Sequence, residues 1–190
     1  DFNSWKSLQP YYDDLKNRPL NSLADLKKWI ADFSEMDAAV SEHLGWLYIR
    51  MTCDTTDEKL TNAYTYFVTE IQPNIAPYDD DLNKKFLGCE FKKELNDAYK
   101  LHLRSIENQV RIFRTDNIPL QAELSVKEQK YGEIAGAMTV EMEGKELTLQ
   151  QAGNYLKRQD RHIREEAYTK IANRRLQDRQ KLDELFNELI

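Results

Sequence analysis

Apolar residues recur three and four positions apart along most of this chain, and that spacing predicts a succession of amphipathic helices. Trp5, Leu8, Tyr11, Tyr12 and Leu15 surround Pro10, which is expected to interrupt one helix and begin another. Ser22 caps a predicted helix to Phe33, with Asp25 as its capping-box partner, and Leu23, Leu26, Trp29, Ile30 and Phe33 share one face. Ser34 is expected to open the next helix, whose stripe runs through Met36, Val40, Leu44, Leu47, Tyr48 and Met51. Trp46 and Ile49 widen that stripe, so cover on more than one side is expected.

Asp54 to Asp57 reads as a turn and N-cap, and Leu60, Tyr64, Phe67, Val68 and Ile71 carry a helix up to Pro73. After Pro77, Tyr78 to Asp81 reads as an acidic link and solvated helix start leading to Leu82, Phe86 and Leu87. It lacks the alternating ligands and glycine of a calcium loop. One long helix is predicted from Phe91 to Phe113 through Leu95, Tyr99, Leu103, Ile106 and Val110. Asn117-Ile-Pro119 marks a break before a helix from Leu120 towards Tyr131, Ile134 and Met138.

The pattern changes period near residues 138–148. Met138 to Met142 reads as a strand, Glu143-Gly144 as a two-residue turn and Lys145 to Leu147 as the returning strand. Thr148 and Gln151 then have capping-box spacing, and a second helix start follows at Asp160. The fold class is therefore predominantly all-α, with seven to nine antiparallel helices and one small β-hairpin.

Composition agrees with that class. Of 190 residues, 41% are hydrophobic and 32% charged, with 6 Gly and 5 Pro, which suits long helices better than a turn-rich sheet. Such a chain can bury one large core or two small ones. Net charge is −6, yet Lys157 to Lys181 carries nine basic residues against four acidic ones. Basic side chains interleaved with acids at helical spacing make a solvated, ion-paired face, so no nucleic-acid partner is expected. Cys53 and Cys89 are expected to be buried free thiols in a reducing, cytoplasmic setting. No apolar run is long enough to span a membrane, and no membrane partner is expected.

Catalytic chemistry is hard to find. Each of the three histidines, His43, His102 and His162, lacks a second histidine four residues on, so the His-Glu-x-x-His zinc motif is absent. No phosphate-binding glycine loop, nucleophile elbow or activated cysteine occurs.

The order of several short stretches nevertheless resembles a known family. These are Trp5 with Tyr11-Tyr12, Glu42 to Arg50, Cys53-Asp-Thr55, Phe67 to Pro73, Asn117 to Leu120, Tyr131 to Met138 and Asp160 to Arg164. Together they resemble the N-terminal part of oligoendopeptidase F, a branch of the thimet-oligopeptidase-like zinc metallopeptidases. The resemblance covers essentially all of residues 1–190 but about the first third of a family chain. It implies a helical N-terminal domain over 1–190 that walls a deep channel closing on short peptides. It implies zinc in the full-length enzyme and none bound by this chain, with the metal motif in a missing C-terminal catalytic domain. Partners would be a peptide substrate and that catalytic domain, and the chain alone would be inactive.

Tyr155, Arg158 and Arg161 are then candidates to face the channel. The plainer reading has the hairpin as interdomain packing and Arg161 and Arg164 as helix ion pairs. No catalytic, cofactor-binding or metal residue is assigned. The alternative class is a free-standing helical protein-interaction module using an apolar groove or the Lys157 to Lys181 face.

Overall fold

A Ser4 hydroxyl accepting from the Ser7 amide starts the first helix of the computed structural model, which describes residues 2–190. The chain divides into two compact units, Asp1–Glu123 and Leu124–Ile190.

In the first unit, α1 (Trp5–Asn17) buries Leu8, Tyr12 and Leu15 and runs unbroken through Pro10, contrary to the sequence expectation. The three buried residues lie on both sides of the proline, so their packing holds one continuous axis despite the missing N–H. α2 (Leu23–Cys53) is a single 31-residue helix capped by Ser22, and Ser34 does not divide it. Nothing between Ser22 and Gly45 is Pro or Gly, so no residue there forces the helix to end. Asp25 closes back on the Asn21 amide at 3.2 Å rather than on Ser22, a shifted version of the expected box. Trp46 and Ile49 are about half exposed, so the expected second covered side is not present.

Asp57 caps α3 (Glu58–Tyr66), which passes through a π turn over Phe67–Ile71 directly into α4 (Gln72–Gly88). Neither Pro73 nor Pro77 ends the helix, and the acidic stretch expected to be a solvated start lies inside α4, with Asp80 buried. The reason is local. An ordinary α turn would press the Pro73 ring against the Thr69 carbonyl, and the wider π turn, closed by Gln72 N–H to Phe67 O, relieves that clash. Asn74 Nδ2 donates to the Glu70 carbonyl at 2.6 Å, occupying an acceptor in the disturbed turn.

The predicted helix from Phe91 begins later. Two short 3₁₀ turns, Glu90–Glu94 and Asp97–Tyr99, precede α5 (Lys100–Ile112), because Leu95 and Asn96 are extended and the Asn96 side chain caps Ala98 N–H at 3.1 Å. Trp29, Tyr12, Phe67, Phe86, Leu26, Ile71 and Leu82 are the largest fully enclosed side chains of this unit's core. Cys53 is exposed rather than buried, and Cys89 is partly buried; both are free thiols.

α6 (Asn117–Gly136) leads into the second unit. There β1 (Thr139–Met142) and β2 (Lys145–Thr148) pair antiparallel, Met142 opposite Lys145 across the turn. Both turn residues have positive φ, 52° at Glu143 and 73° at Gly144, as a hairpin of this length requires. Thr148 and Gln151 form the predicted reciprocal capping box at the start of α7 (Leu149–Gly153). Asp160 caps α8 (Arg161–Gln177), and α9 (Arg179–Leu189) follows after a break at Asp178. The core of this unit is Met138, Val140, Met142, Leu149, Ala152 and Ala167. The outer edge of β1 is covered by cations of α8: Lys170 donates to Glu141 O at 2.8 Å and Arg174 to Ala137 O at 3.4 Å. Among the described residues no helix is long and apolar enough to cross a membrane.

Candidate functional site

Of the residues singled out beside the hairpin, Tyr155 and Arg158 are in contact. Tyr155 donates its hydroxyl to Glu143 at 3.1 Å, and the Arg158 guanidinium sits 5.6 Å from the centre of the Tyr155 ring. Partial burial and the Glu143 carboxylate raise the pKa of that phenol. Arg164 turns back to the carbonyls of Arg158 and Gln159 at 2.7 and 2.6 Å, so it ties the entry of α8 rather than reaching outward. Arg161 is exposed in the first turn of α8. The basic segment behaves as a solvated, ion-paired face: Lys170 pairs with Glu166, Arg174 and Lys181 with Asp178, and Arg179 with Asp183.

A second arrangement lies in the first unit, where α2, α4 and α5 leave a cleft of about 730 Å³. Its floor is Ile30, Phe33 and Ile106; Asp37 enters from α2, Asp79 and Asn83 from α4, and His102 and Gln109 from α5. Burial, followed by the nearby Asp37 carboxylate, pushes the Asp79 pKa up to about 7. Burial together with the charges of Asp79 and Asp37 also raises the pKa of Tyr12 beneath them. Asn83, 8% exposed, donates Nδ2 to Gln109 Oε1 at 3.1 Å. His102 packs on Phe86, ring centres 5.6 Å apart.

The sequence reading passed over this cleft by treating Asp79 as part of a solvated run. The signal was present in the spacing, since Ile75, Asp79, Leu82, Asn83 and Phe86 continue one helical face. Polar residues placed on a core-facing stripe are the ones that line a cavity.

The resemblance implies zinc in the full-length enzyme, outside residues 1–190. Among the described residues no group of three or more His, Cys, Asp or Glu could hold a metal ion. His43 stacks on Phe2 at 5.2 Å and lies against Phe67 at 5.6 Å, His102 serves the cleft wall, and His162 is exposed on α8. The residues present do not fit a catalytic zinc.

A family model described as Peptidase M3 N-terminal domain matches residues 3–113. No curated protein sequence matches the chain. Among solved structures, the chain is similar to one assigned as an oligoendopeptidase F, with a TM-score of 0.88 and 21% identity over 100% of this chain and 34% of that one. It is similar to another so assigned, from Bacillus anthracis str. Ames, with a TM-score of 0.85 and 18% identity over 97% of this chain and 34% of that one. PZ peptidase A, solved with an inhibitor, gives a TM-score of 0.84 and 17% identity over 100% and 34%. The chain thus spans about a third of the length of these structures, and at such identities they speak for the fold. The resemblance first drawn from the order of short stretches is the one that fold and family model return, and with more than half of its residues matched the chain belongs to the Peptidase M3 N-terminal domain family.

Proposed function

We propose that residues 1–190 are the substrate-channel domain of a zinc metallo-oligopeptidase of the oligoendopeptidase F type, which hydrolyses short peptides in the cytoplasm. The observation carrying this reading is that the whole chain superposes on a third of an oligoendopeptidase F. In this reading the chain supplies a wall and holds no catalytic or metal residue of its own, while a separate catalytic domain holds the zinc.

The division of labour is physically sound. A wall that admits an extended peptide and refuses a folded protein contributes positioning and water exclusion, and the metal contributes the electrophile. Support also comes from the surface: Leu101 and Ile112 of α5 are 79% and 66% exposed, as expected of a face that a further domain covers.

The test is to read and express the coding sequence beyond Ile190. The joined protein should contain His-Glu-x-x-His and cleave a fluorogenic oligopeptide in a chelator-sensitive way, while residues 1–190 alone should cleave nothing. Hydrolysis by the isolated chain, or a joined protein without that motif, would overturn the proposal. A stop codon directly after Ile190 would instead favour the free-standing interaction module.

A further inference from the structure

We propose that the cleft between α2, α4 and α5 binds a guanidinium group, the arginine side chain of a peptide, between the Asp37 and Asp79 carboxylates. It rests on the preceding section only in taking the ligand to be part of a peptide.

The cleft is acidic on two sides. Two carboxylates reach it from different helices, and among the described residues neither is paired with a cation. Asn83 is more than nine-tenths buried and faces the same space; its amide nitrogen is engaged by Gln109, while its carbonyl oxygen has no protein donor among the described residues. The convergent groups from α2 and α4 are therefore acceptors, which calls for a ligand rich in donors.

Charge and shape narrow the choice. Two acidic side chains near an apolar floor exact a desolvation penalty that a cation would offset. Guanidinium suits such a place better than ammonium, because it is planar, offers five donors in a fixed fork, is weakly hydrated and lies flat on aromatic walls. Phe33 and Tyr99 supply such walls. The volume of about 730 Å³ accommodates an arginine side chain and its adjoining main chain.

Protonation is coupled to occupancy. Asp79, with its pKa near 7, carries a proton for part of the time at neutral pH, and a cation beside it expels that proton. Binding should therefore tighten as pH rises from 6 to 8. The other titratable groups around Asp79 are Asp37 on α2, Tyr12 on α1, and Tyr99 and His102 at the α5 side. His102 lines the same cleft, so a His102→Gln variant separates it from Asp79.

The experiment is calorimetric titration of the 190-residue chain with N-acetylarginine amide and, separately, N-acetylcitrulline amide, which keeps the shape and lacks the charge. The arginine probe should bind at least about tenfold more tightly, a difference of about 1.4 kcal/mol. Asp37→Asn and Asp79→Asn should each weaken it by about tenfold or more. The rise between pH 6 and 8 should persist in His102→Gln and vanish in Asp79→Asn. Equal affinity for the two probes, no arginine binding at millimolar concentration, or full affinity in Asp37→Asn would overturn the assignment. The citrulline comparison and the pH series use the unaltered protein, so they decide the matter even where a variant fails to fold. They read binding and not hydrolysis, so their failure would leave the peptidase proposal standing.

Discussion

The indole N–H of Trp29 donates to the carbonyl of Leu15 at 2.8 Å in the closed interior of the first unit, tying α2 to the end of α1. The same carbonyl accepts from Lys85 Nζ at 2.7 Å, and Lys85 also reaches the carbonyls of Lys16 and Arg18. A helix ends with carbonyls that lack partners in the helix, and here two side chains from elsewhere in the chain supply them.

This sharing predicts coupling. Trp29→Phe should cost about 0.5–1.5 kcal/mol for the lost hydrogen bond, since Lys85 still serves the acceptor. Lys85→Met alone leaves Trp29 in place. The double variant leaves Leu15 O with neither donor, so its loss should exceed the sum of the single losses by about 1 kcal/mol. Urea unfolding of all four proteins measures that excess, and strict additivity would show that the two donors act independently.

Asp79 should make the first unit less stable as pH rises. Its pKa is raised from 3.8 to about 7 on folding, so between those values the folded protein holds a proton that the unfolded chain has released. The stability it contributes is full below 3.8 and lost as pH passes through 7. Asp79→Asn should consequently gain on the order of 2–4 kcal/mol over the parent at pH 8 and nothing at pH 4. Denaturation midpoints at the two pH values provide the comparison; a gain equal at both would point to a change in packing instead.

Asp178 predicts the opposite sign for the second unit. Arg174 and then Lys181 lower its pKa, so its contribution is present above 3.8 and disappears as pH falls through the depressed value. Asp178→Asn should lower the thermal midpoint at pH 7 and converge with the parent in acid. A deficit that persists unchanged in acid would mean that the carboxylate charge is not what matters.

Gly144 is a backbone requirement. An added Cβ would meet nothing within 4 Å, yet φ is 73°, so Gly144→Ala should cost about 1–2 kcal/mol from conformation alone. Thr148→Ala should cost about 1 kcal/mol by opening the capping box. Thermal unfolding monitored by circular dichroism tests both, and a neutral Gly144→Ala would mean that the turn adapts its geometry.

What could be read in advance follows from the range of the forces. The turn at Glu143-Gly144, the Thr148 box and the caps at Asp57 and Asp160 depend on residues within four positions of one another, and each occurs where its local rule puts it. Pro10 and Ser34 obey no such rule, because burial of Leu8 and Tyr12, and of Leu26 and Val40, outweighs a local tendency to stop, while at Pro73 the π turn relieves the clash that would end the helix. The cleft was hidden for a related reason. Asp37, Asp79 and Gln109 come from three helices, and only their assembly gives those polar residues a shared meaning.

The π turn at Phe67–Ile71 amounts to one residue more than an α-helix needs at that point. Removing a single residue there would restore the ordinary pitch and press the Pro73 ring against the carbonyl four residues before it, while the later side chains of α4 kept their faces. The wide turn thus lets one helical run carry Pro73 and still keep Ile75, Leu82 and Phe86 on the interior face.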